Sequence, residues 1–358
     1  MNTSTGARMG SIDALRGLTV AAMLLVNNPG DWAYVYAPLL HADWHGFTPT
    51  DLIFPLFLFI AGVSMAFSLD PRAADPLARP ALRRGLLQRA LRILVAGLLL
   101  HVLAWWLFAL PAYRPWGVLQ RIAVCVAGVG LVAIHLRPRA QWAVLGGLLL
   151  GYAAVLLGAD TLEPWHNPAS RLDTTLFAPF LYRYDPATGL GHDPEGLLST
   201  LGALATTLLG LIAGRWLRAG QLKALVGLAG GCLLLGWGIA LPTAGLPLNK
   251  NLWTPSYALV AGGLSAATLL LAHWVVDREG RPALGRRFGV NAIAAYVGSS
   301  VMALVMIASG AWAACNALLL ARMPGEPRLA SLLCALGFVA FWWGVVWLLD
   351  RRRIYLKI

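Results

Sequence analysis

The chain has 358 residues, of which 58% are hydrophobic and 12% charged, with a net charge of +12 and a mean hydropathy of +0.67. A soluble domain carries about 25% charged residues because its surface must be wetted. This chain cannot cover a water-facing surface of its own size, so a soluble enzyme, a nucleic-acid reader and a disordered chain are excluded. What remains is an all-α polytopic membrane protein, one transmembrane domain over residues 1–358. A spanning helix takes about 20 apolar residues, and ten of them would use about 200 positions.

Ten spans are predicted, at 12–28, 51–69, 86–108, 117–135, 142–158, 196–218, 223–241, 254–276, 289–309 and 329–349. The apolar stretch 311–321 is shorter and reads as a re-entrant or interfacial piece. Asp13 and Arg16 interrupt the first span, which argues against a cleaved signal peptide. With the N-terminus placed in the cytoplasm, 21 of the 28 basic residues, from Arg8 to Lys357, fall on the cytoplasmic side. The outer side keeps seven basic residues and takes 10 of the 16 acidic ones, a balance of about +15 inside and −3 outside. Both termini are therefore expected in the cytoplasm of a multi-pass protein of a cell membrane. The bias of 25 arginines to 3 lysines points to a GC-rich bacterial genome, hence a bacterial inner membrane.

In the first span, Arg16 and Asn27 are eleven residues apart, about three turns, and share a face about 16 Å long at 1.5 Å per residue. Asp13 and Arg16, at i and i+3, can also simply pair with each other. Next comes His41-Ala-Asp-Trp44-His45 in the loop 29–50, just above the bundle mouth. Either histidine could serve as a general base near neutral pH, although a lone loop histidine is more often a surface residue. Thr48 or Thr50 caps the second span with Asp51 in its first turn, and Pro55 is expected to kink that helix. Gln120 and Arg121 open the fourth span after Arg114 and Trp116, while His101 lies in the outer part of the third. Asp193-Pro-Glu195-Gly precedes the sixth span, where its plainest reading is a turn with an acidic cap. Asn249-Lys250-Asn-Leu-Trp253, followed by Tyr257, leads into the eighth. The outer loops 29–50, 159–195 and 242–253 are longer than a turn needs, so chemistry is expected on the outer face and an anion-friendly surface on the inner one. Cys125, Cys232, Cys315 and Cys334 all lie in apolar runs without CxxC spacing and are expected to be inert core residues; no metal site is expected.

Several stretches, in order along almost the whole chain, resemble the heparan-α-glucosaminide N-acetyltransferase family of transmembrane acyltransferases. They are DALRG followed by VNN in the first span, LLHADWHGFTPTDLIFPLFLF, GVLQRIA at 117–123, DPEGLLST at 193–200, NKNLWTPSY at 249–257 and GVNA at 289–292. One departure is His45, which falls where the lysosomal enzyme has asparagine. The resemblance implies a bundle of about ten helices that moves an acetyl group from cytosolic acetyl-CoA, without a metal, to the amine of an amino sugar at the outer face. His41 would be the catalytic base and Asn27 the donor to the thioester oxygen. Arg16, Arg84, Gln120, Arg121, Arg286 and Arg287 would hold acetyl-CoA. Trp44, His45, Asp51, Asp193, Glu195, Lys250, Trp253 and Tyr257 would form the sugar site. Dimers occur in that family, the oligomeric state of this chain being left open. Some members of the bacterial branch carry instead the description of NagX-like amino-sugar transporters. Transporters commonly have matching broken helices in their two halves; Pro55 and Pro255, expected to break the second and eighth spans, do not correspond in that way.

Overall fold

The computed structural model describes residues 9–356; Arg8 and Lys357, counted above among the cytoplasmic charges, lie outside the described residues. The chain folds into α1 (Gly10–Asn27), α2 (Ile53–Ser68), α3 (Asp70–Ala73), α4 (Arg79–Leu107), α5 (Val118–His135), α6 (Pro138–Leu157) and α7 (Pro168–Phe177). A short hairpin of β1 (Arg183–Asp185) and β2 (Leu190–His192) follows, antiparallel with Arg183 opposite His192. Then come α8 (Leu197–Arg218), α9 (Leu222–Ile239), α10 (Pro255–Ala272), α11 (Arg286–Val290), α12 (Ala292–Ala308), α13 (Ala311–Arg322) and α14 (Pro327–Arg351). Among the described residues nine helices are long and apolar enough to cross a membrane. The pair α12 and α13, bent by 79° at a joint where Gly310 has φ +77°, brings the number to ten if taken as one span. The short apolar stretch after the ninth predicted span is thus a helix turned sharply away from it.

Burial shows why the helices arrange as they do. In α8, 78% of the apolar window is buried, against 17% for the span containing α4 and 22% for α6, α9 and α14. The central helix is therefore α8, and those four turn most of their surface to lipid. Close approach around α8 depends on missing side chains: a Cβ at Gly62 of α2 would fall on the Thr207 carbonyl oxygen, and one at Gly210 of α8 on that of Phe59. Small residues at such crossings let backbones touch where no hydrophobic force separates protein from lipid.

The helix starts correct three expectations. Pro55 does not kink its span: it sits in the first turn of α2, after a 3₁₀ turn over Pro49–Leu52, where no backbone N–H is needed. Pro255 likewise opens α10 at its first position rather than breaking it. The third span starts earlier than its apolar stretch suggests, at Arg79, because arginine-rich turns continue the helix beyond the apolar part. Cys315 is exposed, unlike the other three cysteines, so it is not a core residue.

Alternation of the spans gives the bundle two ends. One gathers the short links 69–78, 136–137, 219–221 and 279–291 and is rich in arginine. The other gathers the long segments 28–48, 108–117, 158–196 and 240–254, with α7 and the hairpin folded over it.

Candidate functional site

The histidine cluster lies at the loop-rich end. Thr48 starts the second span with a reciprocal cap: its backbone N–H donates to Asp51 Oδ2 at 2.9 Å and its hydroxyl to the same oxygen at 3.0 Å. Asp51 is thereby fixed and wholly buried, and its other carboxylate oxygen is 2.7 Å from His41 Nδ1. On the far side of the imidazole, Lys250 Nζ is 3.0 Å from Nε2. The tautomer follows from these neighbours. An ionised carboxylate only accepts and an ammonium only donates, so Nδ1 carries the hydrogen and Nε2 offers its lone pair. This is the arrangement of an oriented general base, with the ring still 43% exposed and reachable. Tyr257 braces it from below, its buried hydroxyl donating to the Asp51 carbonyl at 2.7 Å.

A charged network continues from Lys250. Arg114 forks onto Asp193 at 2.8 and 2.6 Å and reaches Glu195 at 2.6 Å. Burial alone would push the Glu195 carboxyl up, but Arg114, Arg121 and Lys250 outweigh it and hold it below the usual carboxylate range. Burial pulls the Lys250 ammonium down, partly offset by Glu195 and Asp51. Arg121 is fully buried, bonded to the Ser199 hydroxyl and the Gly196 carbonyl, and lies 5.1 Å above the Trp253 ring. Trp253 is itself wholly buried, against Phe54 and Tyr257, so it forms floor rather than an exposed wall.

Trp44 and His45 lie on the other flank. Trp44 donates to the Leu162 carbonyl at 3.0 Å and meets His192 edge to face at 5.2 Å. His45 Nδ1 is 3.2 Å from the Asn249 side-chain amide, and burial keeps its imidazole below its ordinary pKa against an opposing pull from Glu163. Among the described residues it has no hydrogen-bonded carboxylate partner comparable to Asp51, which distinguishes it from His41 as a base. His192, bonded through Nδ1 to the Ser170 hydroxyl at 2.9 Å, is pushed down to about 4 by burial. Asp173, in α7, is pushed up to about 7 by burial while its Oδ1 accepts from the Leu197 N–H at 2.9 Å at the start of α8.

At the arginine-rich end a cavity of about 410 Å³ opens between α1, α2, α4, α5 and α12. Arg16 faces it while donating to Asp13 at 3.1 Å, to Ser64 at 2.7 Å and to the Gly289 carbonyl at 3.2 Å. Arg89 and Arg92 complete a trio of guanidiniums, and no carboxylate is among the lining residues described. The cavity reaches up to Phe57, six residues past Asp51, a separation of about 9 Å along the helix at 1.5 Å per residue.

The residues named from the sequence fall into three places. His41, Asp51, Lys250, Glu195 and Asp193 share one network, with Tyr257, Trp253 and Arg121 beneath it and Trp44 and His45 beside it. Arg16 lines the cavity. Arg286 and Arg287 lie on α11 near Asp350, at 3.2 and 3.9 Å, and Arg84 is exposed on α4; none of the three lines the cavity. Gln120 is buried near His101 and Pro115, at the loop-rich end. Asn27 is exposed at the last residue of α1, and among the described residues no hydrogen bond joins it to His41. Arg89, Arg92 and Ser64 were not singled out by the sequence. The signal available was the spacing of Arg89 and Arg92, three residues apart and followed by the buried Ile93, which sets both near one face of α4.

A family model described as heparan-alpha-glucosaminide N-acetyltransferase, catalytic, matches residues 8–188. The heparan-alpha-glucosaminide N-acetyltransferase of Homo sapiens is 28% identical over 82% of this chain and 53% of its own length. That of Mus musculus is 27% identical over 84% of this chain and 54% of its own length. The chain spans about half the length of these curated relatives.

Proposed function

Because the chain belongs to the heparan-α-glucosaminide N-acetyltransferase catalytic family, we propose that it moves an acetyl group from acetyl-CoA to the amine of an amino sugar, across the bundle from the arginine-rich end to the loop-rich one. The observation that carries the reading is the His41–Asp51 pair, a base fixed at 2.7 Å by a buried carboxylate with its second nitrogen turned to a cationic nitrogen.

The phosphates of CoA lie at Arg16, Arg89 and Arg92, where guanidinium forks suit phosphate oxygens. Arg84, Arg286 and Arg287 add positive potential around that entrance and steer the polyanion towards it. The positive-inside bias places this end in the cytoplasm, where acetyl-CoA is made, and both termini with it. The pantetheine arm rises through the cavity along α1 and α2, so the thioester arrives below His41. An amino sugar enters from the opposite face, its ammonium drawn by Asp193 and Glu195 and its ring laid against Trp44 and His45. His41 Nε2 takes the proton from the attacking amine and returns it to the departing thiolate. Asn27, at the outer end of α1, donates to the thioester oxygen as negative charge develops, a contribution of about 3 kcal/mol by analogy with other oxyanion donors. Asp51 keeps the ring oriented, and Trp253, Tyr257, Gln120 and Arg121 form the floor that excludes water.

Protein reconstituted in liposomes, with acetyl-CoA on the arginine-rich face and glucosamine on the other, should release CoA thiol over many turnovers only while both are present. N-acetylglucosamine should accumulate on the glucosamine side. Movement of unmodified sugar across the bilayer without thiol release would reject acetyl transfer in favour of transport.

A further inference from the structure

A general base must lie within about 2.6–3.2 Å of the heavy atom whose proton it takes. The lone pair of His41 is on Nε2, because Nδ1 is committed to Asp51. The group this lone pair meets is the primary amine of Lys250, at 3.0 Å. That amine is the same kind of nucleophile as the amine of a hexosamine. Its backbone is held in place: the neighbouring Asn249 accepts the Leu252 N–H at 2.8 Å and contacts His45 at 3.2 Å. The residue type is also unusual here, since the chain has 3 lysines against 25 arginines. An arginine would answer the field of Glu195 as well, but its guanidinium neither loses its proton nor accepts an acyl group readily.

The geometry points to Lys250 as an internal acceptor: its Nζ occupies the seat of the substrate amine at His41, and it is acetylated from acetyl-CoA when no amino sugar is bound. The inference rests on the acetyl-transfer reading and adds a modification site to it. One proton of the ammonium leaves to water at the loop-rich mouth. The neutral Nζ attacks the acetyl carbonyl, so an N–C bond forms and the C–S bond breaks. His41 Nε2 takes a second Nζ proton and hands it to the CoA thiolate. The products are CoA and Nζ-acetyl-Lys250, whose amide no longer carries a charge. An amino sugar in the seat prevents the step, so acceptor and self-modification exclude one another.

The test is incubation of the full chain in nanodiscs with isotopically labelled acetyl-CoA and no sugar, followed by peptide mass spectrometry. Lys223, exposed in the first turn of α9 at the arginine-rich end, reports uncatalysed acetylation in the same sample. Lys250 should be labelled on the order of 100-fold faster than Lys223, the lower range of what a positioned base contributes. Saturating glucosamine should suppress the Lys250 label and leave that of Lys223 unchanged, and His41→Gln should bring Lys250 down to the Lys223 rate. The comparison of the two lysines in the unaltered protein does not depend on any variant folding. Equal labelling of the two lysines in a preparation that acetylates glucosamine overturns the inference and leaves acetyl transfer standing. Labelling of neither glucosamine nor Lys250 overturns both.

Discussion

The two ends of the bundle handle charge in opposite ways. At the loop-rich end charges of both signs are interleaved: Asp51 with His41, Lys250 on the other side of His41 and under the field of Glu195, and Arg114 across Asp193 and Glu195. At the arginine-rich end three guanidiniums surround an open cavity whose described lining includes no carboxylate. A network that satisfies itself is already organised for a reaction and needs little rearrangement when charge moves. A cavity lined by guanidiniums, of which Arg16 already holds Asp13 at 3.1 Å, suits a polyanion. On the acetyl-transfer reading, the difference separates chemistry from capture within one bundle.

That contrast can be broken most forcefully at His41. His41→Ala should lower acetyl transfer about 10²- to 10⁴-fold, the range for a positioned base, with helical content by circular dichroism unchanged. Unchanged turnover would move the chemistry elsewhere. Arg114→Ala attacks the network rather than the base. It strands Asp193 and Glu195 and should destabilise the protein by about 3–5 kcal/mol, read as a lower thermal midpoint. An unchanged midpoint would show that water, not Arg114, balances these carboxylates. At the opposite end, Arg89→Ala combined with Arg92→Ala should raise KM for acetyl-CoA about 10- to 100-fold, as expected for lost charge-assisted contacts, with little change in kcat. A fall in kcat at unchanged KM would separate the cavity from the donor.

The gentlest probe is pH, confined to the loop-rich end. His192, held down at about 4, supports the fold above the ordinary histidine range and loses that support as pH falls from about 6.5 to 4. Asp173, raised to about 7, runs the other way: its support is full below the ordinary carboxylate range and is lost as pH rises from about 4 to 7. The two trends oppose each other in the shared interval. Asp173→Asn, which keeps an oxygen for the Leu197 N–H, should uncover loss of stability on acidification. His192→Gln should uncover the reverse, both measured as thermal midpoint against pH. Parallel curves for the two variants would disprove the opposing shifts.

Much of this was legible in the sequence, for definable reasons. Apolar length and arginine placement located the spans because lipid imposes both, and the i, i+3 spacing of Asp13 and Arg16 anticipated their contact at 3.1 Å. The polar motifs at 41–51, 193–195 and 249–257 could be named, but not joined. The meeting of His41 with Lys250 bridges 209 positions and depends on how α2 and α10 pack, which no local pattern encodes. Proline misled at Pro55 and Pro255 because its effect depends on its position in a helix, and helix starts are set by caps such as Thr48 and Thr254. The cavity arginines were obscured by abundance. In an arginine-rich end, Arg84 and Arg89 look alike until the neighbouring helices show which one faces inward.

The strip from Leu40 to Thr48 is fastened at both edges: Gly46 to the Leu248 carbonyl and His45 to Asn249 on one side, Trp44 to Leu162 on the other. A strip so fastened cannot act as a door. On the acetyl-transfer reading, a bulky sugar would instead pass the opposing flap, the α7–hairpin unit, whose His192 meets Trp44 edge-on at 5.2 Å. Appetite for a different guest could then change by remodelling that flap while the base beneath keeps its alignment.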